Sequence, residues 1–291
     1  MAGGSRAAVS RRALGAAAGA LLGGLVVWAA AIEPRRLRMR EVSLRLPLWP
    51  LRLDGLRVAL VADLHAGGPH VRERDLRRVV ARVNAARPDL VALLGDYVDP
   101  SVALGHRIAP ARVAAELAEL RAPLGVVAVL GNHDWEHEGA RVPRALRDAG
   151  IVVLEDEAVR LGEGAPGVWL AGLADARFRS PDVRRALASV PDDAVVLLLA
   201  HDPDLFPLVP DRVALTLAGH THGGQIDVPG LRARAIPSRF GTRYAGGHVE
   251  EGGRHLYVSR GIGESGVPIR FLAPPEVVIL SLSAEWPSPG A

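Results

Sequence analysis

Five short segments of the chain concentrate side chains that can bind a metal ion or transfer a proton. The segments are Asp63-Leu64-His65, Gly95-Asp96-Tyr97-Val98-Asp99, Gly131-Asn132-His133-Asp134, His201, and Gly219-His220-Thr221-His222. They contain five of the ten histidines and one of the two asparagines. The chain has no cysteine, which excludes thiolate nucleophiles, cysteine-ligated zinc, iron–sulfur clusters and disulfides. Any metal chemistry therefore depends on imidazole, carboxylate and amide ligands.

The segments differ in how strongly each one, taken alone, indicates a site. An aspartate after a strand is common in turns, and the asparagine of the third segment could also satisfy a turn. The last segment continues into Gly223-Gly224-Gln225. Two imidazoles one residue apart, flanked by glycines, are hard to explain by packing. The joint occurrence of all five segments favours a functional site.

The elements that must position these segments are short apolar strands. One apolar run precedes each segment, at residues 58–62, 90–94, 126–130, 195–200 and 214–218. Helical periodicity predicts helices at 72–86, 110–120 and 142–149, and Ser180-Pro181 predicts a further helix start. Gly-rich, hairpin-like segments follow residue 230, with strands at 256–259 and 277–282. This alternation predicts an α/β fold, in which ligand groups gather at the carboxyl ends of the strands.

The N-terminal segment differs from the rest of the chain in charge and hydropathy. Residues 1–40 carry a net charge of +6 and residues 41–291 carry −3, which argues against a nucleic-acid-binding face. Residues 13–32 are uncharged and long enough to cross a bilayer, and arginines on both sides leave the orientation open. Ser10-Arg11-Arg12 resembles a twin-arginine export signal and Ala29-Ala30-Ala31 a cleavage site, which favours the outer face of the membrane. The alternative is a helix buried in a globular core.

The five segments resemble the calcineurin-like metallophosphoesterase superfamily. Its pattern is Asp-x-His, Gly-Asp-x-x-Asp, Gly-Asn-His-Asp/Glu, a lone His and Gly-His-x-His, and all five blocks are present in order. The resemblance covers roughly residues 55–284. The segments at 223–225, 257–261 and 268–270 are similar to those of the bacterial membrane-associated or twin-arginine-exported branch. The resemblance implies a two-sheet α/β sandwich with flanking helices.

This resemblance also implies a site with two divalent metal ions, which would be manganese, iron or zinc. One ion would be held by Asp63, His65, Asp96 and His222, and the other by Asp96, Asn132, His201 and His220. Asp96 would bridge the two. A hydroxide between the metals would attack phosphorus, and His133 would protonate the leaving oxygen as a general acid. Asp99 would fix the tautomer of His133. Gln225 is a candidate substrate-binding residue.

We therefore expect a basic N-terminus at 1–12, a transmembrane anchor or export signal at 13–32 and a connector at 33–54. A catalytic domain at 55–284 and a tail at 285–291 follow. The leading hypothesis for the function is a membrane-associated hydrolase of a small or lipid-linked phosphodiester or pyrophosphate.

Several alternatives to that function remain open. A phosphomonoesterase such as a phosphoprotein phosphatase is disfavoured, because the arginine usual in those enzymes does not follow Asp99. A nuclease is disfavoured by the negative charge of residues 41–291. A non-catalytic, metal-binding membrane adaptor would have no use for His133 and Asp99.

The remaining histidines and several arginines receive more general predictions. We expect five histidines outside the segments to be surface residues: His70, His106, His137, His248 and His255. Six arginines are candidates for phosphate binding, although most of the 35 arginines must be solvated: Arg177, Arg179, Arg239, Arg243, Arg260 and Arg270.

Overall fold

The computed structural model describes residues 11–161 and 167–285. Most of the predicted basic N-terminus, including Ser10 of the export-signal motif, and residues 286–291 of the predicted tail lie outside the described residues. The strands are β1 (Arg38–Leu46), β2 (Leu56–Val61), β3 (Leu90–Leu93), β4 (Val126–Ala128), β5 (Val152–Val153), β6 (Glu157–Arg160), β7 (Val168–Gly172), β8 (Val195–Leu199), β9 (Leu215–Ala218), β10 (Gly247–Glu251), β11 (Arg254–Val258) and β12 (Glu276–Ala284). The helices are α1 (Arg11–Val27), α2 (Glu73–Ala86), α3 (Pro110–Leu117), α4 (Asn132–Glu138), α5 (Arg141–Asp148), α6 (Val183–Ala186) and α7 (Arg232–Ala235).

The strands form two six-stranded mixed sheets. The first has the order β1-β12-β2-β3-β4-β5 and the second the order β10-β11-β9-β8-β7-β6. Neighbours from β2 to β5 and from β7 to β9 are parallel, and β9 also pairs in parallel with β11. Because parallel strands end at the same edge of a sheet, the segments that follow β2, β3, β4, β8 and β9 lie at one end of the sandwich. This is the predicted two-sheet α/β sandwich with flanking helices.

Alternating apolar residues in the strands supply both faces of each sheet. In β2, Val58 and Leu60 pack between the sheets, whereas Ala59 and Val61 pack against the helices on the outer face. Strand β8 alternates in the same way between the central core and the core on the outer face of the second sheet. Burial on both faces explains why these strands are continuous apolar runs in the sequence.

The N-terminal segment is helical and lies outside these cores. A helix over Ala13–Arg35 has the length and composition needed to cross a membrane, and none of its apolar window is buried. This excludes the alternative of a helix buried in the core. Helix α1 continues into a π-turn at Trp28–Ile32 and a short 3₁₀ turn at Glu33–Arg35, and β1 follows directly.

Two predictions about local structure need correction. The predicted connector, 33–54, contains β1, which pairs in parallel with β12 over nine residues at the edge of the first sheet. The sequence did not indicate this strand, because its first six residues include exposed charged side chains and only Leu44 and Leu46 are buried. The predicted helix start at Ser180-Pro181 is also wrong. Helix α6 begins at Val183, and the Asp182 carboxylate caps it by accepting two backbone N–H groups.

Candidate metal centre and active site

The five sequence segments converge at the carboxyl ends of their strands. The backbone N–H of His220 donates to Asp63 Oδ1 at 3.0 Å, although the two residues are 157 positions apart in the chain. The N–H of His133 donates to Asp96 Oδ1 at 2.9 Å, and His201 Nε2 lies 3.2 Å from Asp96 Oδ2. The sequence therefore predicted correctly that these groups share one crevice.

The backbone at the candidate metal ligands is held in an unfavourable conformation. Five of the seven have positive φ angles: Asp63 (50°), His65 (42°), Asp96 (55°), His220 (70°) and His222 (51°). For residues with a side chain this left-handed region costs on the order of 1–3 kcal/mol each, and such strain is retained where the surrounding structure enforces it. The fold thus directs these side chains inward.

Glycines at the strand ends permit this close approach. A Cβ on Gly219 would lie 2.7 Å from Asp63 Oδ2, and a Cβ on Gly95 would lie 2.7 Å from His201 Nδ1. Neither distance leaves room for a methyl group. The glycines that flank the ligands in the sequence are therefore required by packing within the site.

One group of donors is formed by Asp63, His65 and His222, whose ligand atoms lie within 4.8 Å of one another. His65 Nε2 is buried, has no hydrogen-bond partner among the described residues, and lies 3.5 Å from Asp96 Oδ2. His222 Nε2 lies 3.8 Å from Asp63 Oδ1. Asp96 thus stands beside this group, as the predicted bridging position requires.

A second group is formed by Asp96, His201 and His220, again with ligand atoms within 4.8 Å. Asn132 is buried at this side of the site, and neither its Oδ1 nor its Nδ2 has a hydrogen-bond partner among the described residues. Burying an unpaired amide costs about 1–3 kcal/mol, so a ligand for Oδ1 accounts for its position. The donor set fits a second divalent ion.

Each of the four imidazoles uses one ring nitrogen for orientation and turns the other towards the donor groups. His201 Nδ1 contacts Leu94 O at 2.7 Å and His222 Nδ1 contacts Gly263 O at 3.3 Å. His220 is reversed, because its Nε2 contacts Pro237 O at 3.2 Å and its Nδ1 faces His201. His65 Nδ1 lies 2.9 Å from Asp99 Oδ2. Such outer contacts fix the tautomer of metal-binding histidines, and the two donor groups together fit a dimetal site.

The electrostatics of this buried cluster depend on coupling between its charges. Burial raises the pKa of Asp63 to about 6. Burial also opposes ionisation of Asp96, but the neighbouring His201 and His65 imidazoles lower its pKa well below its ordinary value. The pKa of His201 is raised by Asp96 despite burial, whereas burial lowers the pKa of His220 to about 3. Neutral imidazoles and ionised carboxylates are the forms that bind a cation.

His133 lies at the edge of the cluster beside Asp99. Its Nδ1 is 3.3 Å from Asp99 Oδ2, its Nε2 is 3.5 Å from Ser265 Oγ, and its side chain is 17% exposed. Asp99 lies closer to His65 than to His133 and also accepts a hydrogen bond from the Ser101 backbone at 2.8 Å. The predicted Asp99–His133 contact is present, but Asp99 also orients a candidate metal ligand.

An open cavity of about 590 Å³ adjoins the second donor group, and Asn132 and His220 are among its lining residues. Arg177 and Arg239 line it as well, together with three aspartates. Arg239 also donates to Asp204 O at 2.9 Å, and the other arginine candidates are engaged elsewhere. Arg179 stacks on Trp135, Arg243 pairs with Glu251, Arg260 pairs with Asp227, and Arg270 is fully buried among backbone carbonyls.

Residues 56–224 match the family model for calcineurin-like phosphoesterases. The chain belongs to this family. It is 34% identical to the metallophosphoesterase YkuE of Bacillus subtilis over an alignment of 273 residues. This alignment covers 92% of this chain and 93% of YkuE. The chain is 31% identical over 260 residues to a Danio rerio transmembrane protein with a metallophosphoesterase domain, covering 83% of this chain and 56% of that protein.

A third relative is the UDP-2,3-diacylglucosamine pyrophosphatase LpxG of Chlamydia trachomatis. It is 25% identical over 310 residues, covering 87% of this chain and 92% of LpxG. The family and the donor groups make this chain a metal-dependent hydrolase of phosphoric ester bonds.

Sequence reasoning missed several residues of this phosphoesterase site. Asp134 is fully buried, and its carboxylate accepts the backbone N–H groups of Asp96, Tyr97 and Gly131 at 2.8–2.9 Å. The position of Asp134 directly after His133 in the sequence is the signal that could have identified it as a site residue. His137 Nε2 lies 3.4 Å from Asp99 Oδ1, one helical turn after His133.

The prediction of a surface position is therefore wrong for three histidines. His137 borders the site, and His70 and His255 are buried. His70 pairs with Glu264, and His255 stacks on His248. Gln225 is bonded to the loop before β12, where its Nε2 donates to Ser265 O and Val267 O at 3.3 Å.

Proposed function

We propose that this chain is a membrane-associated phosphodiesterase that hydrolyses a small or lipid-linked phosphodiester or pyrophosphate with two divalent metal ions. The observation that carries the proposal is the pair of donor groups flanking Asp96, with His133 beside them. The lipid-linked class is supported by the exposed apolar helix at Ala13–Arg35 and by the similarity to LpxG, named as a pyrophosphatase of a diacylated sugar nucleotide. Manganese, iron and zinc are all compatible with the donors.

In this proposal the buried side chains hold the two metal ions. Asp63, His65, Asp96 and His222 would bind one, and Asp96, Asn132, His201 and His220 the other. When bound, such ions activate water and offset the negative charge that develops on the phosphoryl oxygens. Asn132 contributes a neutral oxygen, which limits the negative charge in a site that must admit an anionic phosphate.

His133 would deliver the proton to the leaving oxygen. Asp99 faces Nδ1, so Nδ1–H can donate to the carboxylate while Nε2–H donates to the substrate. Burial is the main cause that lowers the pKa of His133, and the nearby Asp96 and Asp99 charges oppose this effect by stabilising the protonated ring. Arg177 and Arg239, on the wall of the adjoining cavity, would bind the remaining phosphate oxygens.

The test is hydrolysis of bis-p-nitrophenyl phosphate and p-nitrophenyl phosphate by the full chain in detergent. The protein is stripped of metal and then resupplied with manganese, iron or zinc. We expect metal-restored cleavage that favours the diester. Asp63→Ala should lose bound metal and activity together, whereas Asp148→Ala, at an exposed helix position, should keep both.

Two outcomes would contradict the proposal. Preference for the monoester would favour a phosphomonoesterase. No hydrolysis of either ester, in protein that demonstrably holds metal, would favour the non-catalytic adaptor instead.

A further inference from the structure

Two neighbouring loops at the edge of the site expose large apolar side chains. Leu104 is 89% exposed in the loop after Asp99, and Val267 and Leu272 are 58% and 55% exposed in the loop before β12. The two loops are joined by a hydrogen bond, because the backbone N–H of Ala103 donates to Gly266 O at 2.8 Å. We call these three residues the apolar edge.

The leucines of the apolar edge are strained as well as exposed. Leu104 has φ 63° and Leu272 has φ 57°, both in the left-handed region that a branched side chain rarely adopts. A single exposed leucine is common on a protein surface. A leucine that is both strained and exposed gains little from folding, so its position is better explained by a contact with something outside the chain.

The second loop is attached to the end of the N-terminal helix. The backbone N–H of Arg270 donates to Ala29 O at 2.9 Å. The π-turn explains why this carbonyl is available. The N–H of Glu33 bonds to Trp28 O, and the next residue in that i to i+5 pattern is Pro34, which has no N–H. The loop therefore supplies the hydrogen bond that the helix cannot.

This attachment sets the depth of the loop relative to the apolar helix. Ala29 precedes Ile32, the last residue of the uncharged stretch, by three residues, which is less than one helical turn. Trp28 stacks under Arg36 at 5.0 Å, and Arg35 and Arg36 are exposed, which is typical of a helix end at the boundary between acyl chains and headgroups. A loop bonded to Ala29 lies at that same level.

We propose that the apolar edge inserts into the bilayer beside the N-terminal helix, at the boundary between acyl chains and headgroups. The inference rests on the proposed membrane association and does not depend on the proposed catalytic roles. Ser265 lies in the same loop as Val267 and contacts His133 at 3.5 Å. Insertion of this loop therefore brings the site close to the lipid surface. A phosphate carried by a lipid would then meet the site without leaving the membrane.

The absence of cysteine allows a direct test with one label at a time. Leu104→Cys and Leu272→Cys are labelled with an environment-sensitive fluorophore in the full chain, reconstituted in phosphatidylcholine–phosphatidylglycerol liposomes with or without nitroxide-labelled lipid. Leu25→Cys, within α1, reports on the anchor. Leu51→Cys is the matched control, since Leu51 is 60% exposed but follows the nine-residue β1, which extends about 30 Å from the helix end.

We expect a blue-shifted emission and quenching of about half the intensity at positions 25, 104 and 272, and little quenching at 51, because inserted residues lie about 5–10 Å inside the boundary. If position 25 is quenched but positions 104 and 272 show as little quenching as position 51, the apolar edge does not insert, whereas the N-terminal helix still does. No quenching at 25 would overturn both. None of these readouts requires catalytic activity, so a failure of the proposed function is recognised separately.

Discussion

Arg270 provides the strongest prediction about stability. Its side chain is fully buried and donates to the backbone carbonyls of Arg260, Gly263 and Ala273 at 2.5–3.2 Å. It also faces the buried carboxylate of Glu264 at 3.9 Å, which the His70 imidazole contacts at 3.2 Å from another direction. Arg270→Met keeps much of the volume but leaves three carbonyls and one carboxylate without their cationic partner.

The cost of Arg270→Met follows from these contacts. Each unpaired buried polar group costs about 1–3 kcal/mol, and breaking a buried ion pair costs about 3–5 kcal/mol. Because these effects overlap, we expect the free energy of unfolding to fall by about 4–6 kcal/mol, a large part of the 5–15 kcal/mol typical of a folded domain. Arg270→Lys should lie between wild type and Arg270→Met, because an ammonium group cannot reach three carbonyls in different directions.

Urea unfolding of the full chain in detergent, followed by tryptophan fluorescence, measures this difference. Arg144→Met is the matched control. The Arg144 side chain is 83% exposed, and its one ion pair in the described residues is a long, solvent-exposed contact with Asp148 at 3.8 Å. Loss of this side chain should therefore change the free energy of unfolding by less than about 0.5 kcal/mol. The reasoning is refuted if Arg270→Met unfolds within about 1 kcal/mol of wild type.

Three further predictions concern the leaving group, the metal centre and the effect of pH. His133→Ala should slow hydrolysis of an alkyl ester by about 10²-fold or more but that of a p-nitrophenyl ester much less, and equal losses would contradict its role as the acid. Gly219→Ala places a methyl group 2.7 Å from Asp63 Oδ2, so metal content should fall while circular dichroism stays unchanged; full metal occupancy would show that the turn can yield. The pKa of His248 is lowered by burial and by His255, so protonation disfavours the folded state. The melting temperature should therefore drop as pH falls below about 6.5, and less steeply in His248→Gln, whereas identical slopes would exclude this group.

Much of the fold could be predicted because its signals are local. Helix α2 lies where Leu76, Val79, Val80 and Val83 recur with helical spacing, and all four are buried. The central strands are continuous apolar runs because both of their faces are covered. Strand β1 could not be predicted in this way, since its outer half is exposed and its pairing partner, β12, is more than 200 residues away in the chain.

The histidines outside the five segments show a similar limit. A lone histidine carries no pattern that separates a surface position from a buried one. His70 is buried because Glu264 lies 3.2 Å away, and His137 borders the site because α4 places it one turn after His133. The His70–Glu264 contact and the His137–Asp99 contact each join segments far apart in the chain, which no local pattern records.

The residue types along the chain define the chemistry available at the site. Its residue types and their places after apolar runs predict imidazole, carboxylate and amide donors at one end of an α/β sandwich, because metal binding restricts the ligand types and parallel strands share an end. The packing of distant segments sets which ring nitrogen of each histidine faces the donor groups and how Asp99 is shared between His65 and His133. It also decided that the loop at Arg270 is bonded to the end of the N-terminal helix. These features depend on positive φ angles and on hydrogen bonds between segments far apart in the chain, and such contacts are set by the packed fold as a whole.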